Sequence, residues 1–519
     1  MKRKRTLLMA AAGLAVYIAL VFAMTAAEKG LPGAGIRSPW DAAWYTITTL
    51  TTVGYGDYVP VSLPGRMIGA VLMVLSMGLW AALIGTIWSL VRGVLLPFRR
   101  VARISRKPWY VFSERNEAAE SLARDLLGSD TGSRVIFCDD GENRNRNGMP
   151  RCVSVPQDIL TLMLYGPARR AERTVFLTGQ DGWANAALAQ RLLPLCGRVY
   201  SRGKEAAQVE GVRAFDEASL CARRFWHEHP AGQNESVFLI CGDGELAREL
   251  LNHGLLACCR QPFHTTVFHV FGDWAAYRRI HAELGAVLAI NALDSGKDSV
   301  IFHEEAWNAD RSLLESADRI LFAADDGRMN AVTAAELTQA FPVRGALFAA
   351  TGLPVAGAVR FGDTESLYTA EMVMHQAMDR QACALHRAYC ERTGGTVSWQ
   401  ELSPFLQDSN RAAADHLLTK VRLLLSDDQV MHADGEACRR AAMCFAALTP
   451  DQREDCRRNE HMRWWVFHAL YNWRWAPDRD DALRLHPCMV PYEQLSAEER
   501  AKDDGAWEMI DAIAREEIT

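Results

Sequence analysis

The sequence predicts a chain in three parts: two membrane-spanning helices around a re-entrant segment, two successive α/β units, and an α-helical C-terminal region. Three observations carry that expectation. Residues 6–27 (TLLMAAAGLAVYIALVFAMTAA) and 67–91 (MIGAVLMVLSMGLWAALIGTIWSLV) contain no charged side chain. Between residues 108 and 362, short apolar runs alternate with helical stretches, and the alternation starts over near residue 235. From residue 363 onward the pattern is helical, with tryptophans gathered near residue 470.

Each charge-free run exceeds the roughly 20 apolar residues that a bilayer-spanning helix needs. No comparable run follows Pro108, so the 519-residue chain reads as a membrane anchor on a soluble body of several domains. Basic residues set the orientation. Lys2, Arg3, Lys4 and Arg5 precede the first run, and Arg92, Arg99, Arg100, Arg103, Arg106 and Lys107 follow the second. The segment between holds only Lys29, Arg37 and Arg66, so both termini are expected on the cytoplasmic side. A signal peptide fits less well, because its apolar core is shorter than this first run. The net charge of −6 gives no footprint for nucleic acid. Thirteen scattered cysteines without a CxxC pair suit reduced thiols better than a disulfide framework or a zinc site. The triplet His227-Glu228-His229 reads as a solvated loop before Pro230.

Between the two runs stands WDAAWYTITTLTTVGYGDYVP. Residues 40–50 predict a short helix that enters the membrane without crossing it. Irregular backbone beyond it is tolerable at that depth only if it is buried in protein or faces water. Gly54 and Gly56 flank Tyr55, and glycines at alternate positions allow backbone angles that side chains disfavour. Thr52-Val53-Gly54-Tyr55-Gly56 resembles, nearly letter for letter, the selectivity filter of potassium channels, in which carbonyl oxygens replace the hydration shell of K⁺. That resemblance implies a homotetramer, each chain giving one loop. It implies ion sites lined by the carbonyls of Thr52, Val53, Gly54 and Tyr55 and the Thr52 hydroxyl, with Gly56 completing the loop. Trp44 and Tyr45 would brace the filter and Asp57 would stand at its outer mouth. Gly78 and Gly85 read equally as gating hinges and as close-packing positions. No helix carries arginine at every third position, so a voltage sensor is not expected and control falls to the soluble part.

Strands alternating with helices predict parallel sheets, Rossmann-like, in two units at 108–229 and 235–362. Pore plus paired α/β units resembles prokaryotic potassium channels with regulator-of-K⁺-conductance domains, which implies a place in the inner membrane and cytoplasmic domains paired about two-fold axes. In the first unit Ser113, Arg115 and Ala118 stand where a dinucleotide turn has glycines, so no NAD is expected there. The second keeps Gly242-Asp243-Gly244 and Ala247 after a strand, with Asp273 ending the next one: a nucleotide turn or simply a tight turn.

After a connector at 363–395, residues 396–519 carry Glu460-His461-x-Arg463-Trp464, Trp473, HPCMVPY from His486, LSAEERAKDD, and SNRAAADH with Asn410 and Arg411. These letters resemble the ryanodine-receptor repeat domain. Aromatic faces stack bases and guanidinium groups hold phosphates, so Arg463, Trp464, Trp473, Arg474, Trp475, His486, Asn410 and Arg411 are the candidate ligand-binding set. Tryptophan is equally a core residue in small helical domains, above all at 464 and 473. A ligand with two-fold symmetry, a cyclic dinucleotide or related nucleotide messenger, would suit paired copies. The sequence thus predicts a ligand-gated potassium channel and not an enzyme. The alternatives are gating by Ca²⁺ or an adenine nucleotide at the α/β units, where Asp139-Asp140 and Asp325-Asp326 end strands, and a membrane-tethered oxidoreductase, which lacks an evident catalytic dyad.

Overall fold

Serine and proline open each helix of the N-terminal part after the first. The computed structural model describes residues 2–51, 53–91, 108–130, 132–138, 149–165, 172–293 and 296–516. The chain divides into two compact units, separated near residue 104. The first holds α1 (Lys2–Glu28), α2 (Pro39–Leu50) and α3 (Leu63–Leu90). Ser38 caps α2 in a capping box: its hydroxyl accepts from the Asp41 amide, and the Asp41 carboxylate accepts from the amides of Ser38 and Arg37. Ser62 caps α3, accepting from the Gly65 amide at 2.9 Å, with Pro64 in the first turn. Val21, Met24, Ile36, Ala42, Tyr45 and Leu72 form the core among the three helices.

Among the described residues no helix is long and apolar enough to cross a membrane. The described side chains of α1 begin at Ala15, and those of α3 are interrupted at positions 76, 79, 82, 89 and 90. The basic flanks at 2–5 and 92–107 and the pair Asp139-Asp140 lie outside the described side chains.

The second unit contains two parallel sheets of the same design. β1 (Trp109–Phe112), β2 (Arg134–Cys138), β3 (Cys152–Val155), β4 (Arg173–Leu177), β5 (Arg198–Arg202) and β6 (Val212–Phe215) lie in the order β3-β2-β1-β4-β5-β6. β7 (Val237–Cys241), β8 (Val267–Phe271), β9 (Ala289–Ile290), β10 (Ser299–His303), β11 (Arg319–Phe322), β12 (Ala346–Ala350) and β13 (Val359–Phe361) lie in the order β13-β12-β11-β7-β8-β10-β9. Without the short edge strand β9, the second order repeats the first, and both are the doubly wound Rossmann order. Every residue of β4 and of β11 is buried, as expected of strands covered on both faces. Arg319 ties the halves together, donating to the carbonyls of His229 and Pro230 and to the Glu235 carboxylate. The His227 triplet is not a free loop: the helix Glu217–Glu228 takes in its first two residues, and His229 closes it.

At the end of β7, Gly242 adopts φ +141°. A Cβ there would stand 2.7 Å from the Ala323 and Ala324 backbone. Gly242→Ala is expected to destabilise the second unit by about 2–3 kcal/mol, the cost of forcing backbone apart, read as a lowered denaturation midpoint.

Beyond β13 the chain is helical, with principal helices at Arg380–Thr393, Pro404–Asp415, Leu417–Leu425, Gly435–Ala446 and Pro450–Leu470. A two-residue ladder pairs β14 (Arg474–Trp475) with β15 (Leu485–His486). One hydrophobic core runs from the α/β units into this region, taking in Trp226, Phe268, Trp465, Phe467 and Trp473. All thirteen cysteines are free.

Candidate functional site

α2 delivers the loop that follows it. Its last carbonyls are capped by the loop's own amides: the Thr48 carbonyl accepts from Val53 and from Gly54, each at 3.0 Å. Gly54 and Gly56 then adopt φ +57° and +72°. A Cβ at either would meet nothing within 4 Å, so what demands glycine here is the left-handed backbone itself, not crowding. Thr52 lies outside the described residues.

The bracing residues divide into two jobs. Trp44 donates its indole N–H to Asp57 Oδ2 at 3.0 Å and stacks parallel to Tyr55, ring centres 6.2 Å apart. The short helix, Tyr55 and Asp57 are thereby tied in one place. Tyr45 instead turns into the core, with its ring against Gly69 of α3. Trp44→Phe keeps the stack and removes the hydrogen bond. A loss of about 1 kcal/mol in the stability of this loop is expected, seen as a lowered thermal denaturation midpoint of the full chain.

The sequence reading missed Glu28. This carboxylate at the end of α1 is fully buried and accepts from the Val61 amide at 2.9 Å, the Ser62 amide at 3.0 Å and the Ser62 hydroxyl at 2.6 Å. It pins the strap that leaves the glycine loop to the first turn of α3, and Gly65 is glycine because a Cβ would collide with the same carboxylate. Its sequence signal was a lone acid closing an apolar run. Gly78 and Gly85 sit in α3 with open space beside each Cα.

The nucleotide turn of the second α/β unit is filled by the protein itself. The Asp325 carboxylate lies directly against Gly244, in the space left by the missing Cβ. Asp243 Oδ2 accepts from the Asp273 amide at 2.6 Å. Glu245 opens the helix Glu245–Ala257 and pairs with Lys204 at 3.5 Å. A phosphate at that turn would face carboxylates. In the first unit, the Arg115 guanidinium bonds Glu120 and packs over Phe137.

The C-terminal candidates are brought together only in part: His486 lies 5.0 Å from Trp464 and 6.3 Å from Trp473 between ring centres and pairs with Trp475 in the β14–β15 ladder, while Arg463, Arg411 and Asn410 are engaged with other groups. Arg463 is buried and pairs with Glu460 at 2.5 Å, and Lys420 pairs with the other oxygen of that carboxylate at 2.7 Å. Burial would raise the Glu460 pKa, but the charges of Arg463 and then Lys420 outweigh it and hold the carboxyl well below the usual range. Arg411 is held by Asp379 and Asp408, and the Asn410 amide donates to the Leu406 carbonyl in its own helix. Trp473 is buried and stacks on Phe405. Trp464 is half-buried between His468 and His486, and His486 Nδ1 accepts from the Cys488 amide. Only Arg474 and Trp475, on β14, are exposed. The set drawn from the letters therefore separates into core, ion pairs and one exposed edge.

Residues 6–92 match the family model described as "Ion channel". Over 75 residues the chain is 37% identical to a voltage-gated potassium channel of Aeropyrum pernix, covering 14% of this chain and 25% of that protein. Over 60 residues it is 48% identical to the calcium-gated potassium channel TvoK of Thermoplasma volcanium, covering 12% and 17% respectively. The chain thus spans a quarter or less of the length of these two relatives. Solved structures of the GsuK channel align over 72% of this chain and 99% of theirs, at 18% identity and TM-score 0.35; the form bound to ADP gives 16% and 0.36. Residues 6–92, which hold the capped short helix and the glycine loop, are similar to ion channels, and the relatives that the chain matches are potassium channels.

Proposed function

We propose that four copies of this chain form a K⁺-selective channel in a prokaryotic inner membrane, with both termini cytoplasmic and with opening set by a small cytosolic ligand. The observation that carries the reading is the left-handed backbone at Gly54 and Gly56, within Thr-Val-Gly-Tyr-Gly, at the end of a capped short helix. One loop offers carbonyls on one side only, so four around an axis are needed to replace a hydration shell. Two further features support the reading. Val74, Met77, Ile84 and Trp88 on α3 are exposed on a single protomer, as are Val53 and Tyr55 in the loop. An apolar face of that extent suits lipid and neighbouring subunits. Gly78 and Gly85, with open space beside them, suit close helix packing in the assembled pore as well as bending.

For control, the reading places the ligand on the helical C-terminal region, which resembles the ryanodine-receptor repeat, and favours a cyclic dinucleotide or related messenger. Arg474 and Trp475 are the exposed cation and aromatic face available to it. Arg463 is not a clean probe, because its loss takes one of two partners from the buried Glu460. K⁺ flux from liposomes holding the full chain, measured with a panel of cyclic mono- and dinucleotides, tests this. A response to one compound that Trp475→Ala abolishes, with basal flux retained, supports the reading. Flux indifferent to every nucleotide removes the nucleotide from it, and Ca²⁺ is then the ligand to assay.

A further inference from the structure

The exposed edge of the helical region has two faces, and they differ in chemistry. In the ladder of β14 with β15, Arg474 stands opposite Leu485 and Trp475 stands opposite His486. Residues paired directly across a ladder point to the same face, and successive residues of a strand point to opposite ones. Trp475 and His486 therefore share one face, and Arg474 points away from it. Trp473, two residues before Trp475, agrees with that assignment, because its ring lies 6.3 Å from that of His486. Trp464 meets the same imidazole edge to face, with ring centres 5.0 Å apart. His486 is thus held by packed tryptophans, and beside it on the ladder Trp475 is 57% exposed.

The imidazole has a definite polarity. Its Nδ1 accepts from the Cys488 amide at 3.0 Å. Burial, then the charge of Arg479, lowers the His486 pKa, so the ring is neutral and its one hydrogen lies on Nε2. Arg479 is itself paired with Asp481 at 2.6 Å. The face thus offers a flat aromatic surface, an oriented N–H donor beside it and a cation close by. A nucleobase answers all three: a π-face to stack, ring nitrogens or carbonyl oxygens at its edge to accept, and an attached phosphate. A cationic ligand would stack on the tryptophan but would meet the N–H and Arg479 with the wrong sign. We propose that Trp475 and His486 form a base-binding subsite, in which the base stacks on Trp475 and accepts a hydrogen bond from His486 Nε2. This rests on the nucleotide reading above and narrows it, since it gives the hydrogen bond to His486 and takes Arg474 out of the site.

Calorimetric titration of the detergent-solubilised full chain with cyclic AMP, cyclic di-AMP and cyclic di-GMP tests this. One of the three is expected to bind, with its affinity reduced about 10-fold or more in Trp475→Ala, the loss of one stacked base. His486→Phe keeps an aromatic ring and removes the donor, for a loss of about 5- to 10-fold. His486→Gln, which returns an N–H near the Nε2 position, is expected to recover most of that loss; a purely structural role for the imidazole would leave it no better than Phe. Arg474→Ala is expected to stay within about 2-fold of wild type. Binding that survives both Trp475→Ala and His486→Phe, or that falls as far in Arg474→Ala as in His486→Phe, overturns the subsite and leaves the nucleotide reading standing. No binding of any of the three compounds overturns both. Should His486→Phe not fold, the two changes at exposed positions, Trp475→Ala and Arg474→Ala, decide.

Discussion

Gly54→Ala abolishes K⁺ flux, by at least about 100-fold, in liposomes carrying the full chain. At φ +57° an alanine Cβ meets its own carbonyl, a cost of about 1–2 kcal/mol per residue. The new methyl gains no contact to offset that strain, since nothing lies within 4 Å of it. The loop relaxes instead, and the Gly54 amide leaves the Thr48 carbonyl. In the proposed tetramer the penalty arises once per subunit, about 4–8 kcal/mol in all, which supports a loss of 100-fold or more. The protein should still assemble, because α1, α2 and α3 pack through Tyr45, Met24 and Leu72, away from the loop. Normal assembly with absent flux is the expected pair of readings. Undiminished flux in Gly54→Ala would show that the left-handed geometry is not what conduction needs.

The second large effect lies far from the pore. Glu460→Gln leaves Lys420 and Arg463 buried without their shared counter-charge, at 2% and 4% exposure. Removing one partner of a buried ion cluster costs about 3–5 kcal/mol, because the remaining charge stays desolvated. The denaturation midpoint of the second compact unit is expected to fall accordingly. A triple change of Lys420, Glu460 and Arg463 to apolar residues of similar volume should cost less than Glu460→Gln alone. The pH dependence has a fixed sign. The Glu460 pKa is depressed in the fold, so its contribution is present above the unfolded carboxylate value of about 4.3 and is lost as pH falls below it. Asp503 works the opposite way: burial, then the Glu460 charge, raises its pKa to about 8. A carboxyl raised in the fold stabilises it below the unfolded value and surrenders that stability as pH climbs through the folded one. Unfolding midpoints should therefore decline on both sides, by acid below about pH 4 and by alkali toward pH 8. A single-sided profile would show that one of the two acids is not buried as described.

What the letters revealed and what they hid follow from range. The similarity to ion channels was legible because its pattern is local: five consecutive residues, a short helix before them, and apolar runs on both sides. The α/β units were legible for the same reason, since each buried strand is a continuous apolar run. β6, β9 and β13 escaped because they are short and lie at or near sheet edges, where burial is weak and the apolar signal fades. Glu28 escaped because its partners are 33 and 34 residues away, across the whole loop. The C-terminal set shows the limit most plainly. Helical periodicity says which residues share a face, but not what covers that face. Arg463 and Trp464 are neighbours in sequence, yet one is sealed against Lys420 and Glu460 while the other meets His468 and His486. Nothing within Pro450–Leu470 specifies the helix Leu417–Leu425 that supplies Lys420, so a cation suited to a phosphate was read where the fold uses it for its own carboxylate.

The central claim is selective conduction by the assembled chain, and ion replacement tests it most directly. Purified full-length protein is reconstituted into liposomes loaded with K⁺, and efflux is followed before and after Na⁺ replaces K⁺ throughout. The account predicts rapid K⁺ flux that disappears in Na⁺ and in Gly54→Ala. Equal flux of both ions, or no K⁺ flux from correctly assembled wild-type protein under any ligand condition, would contradict it.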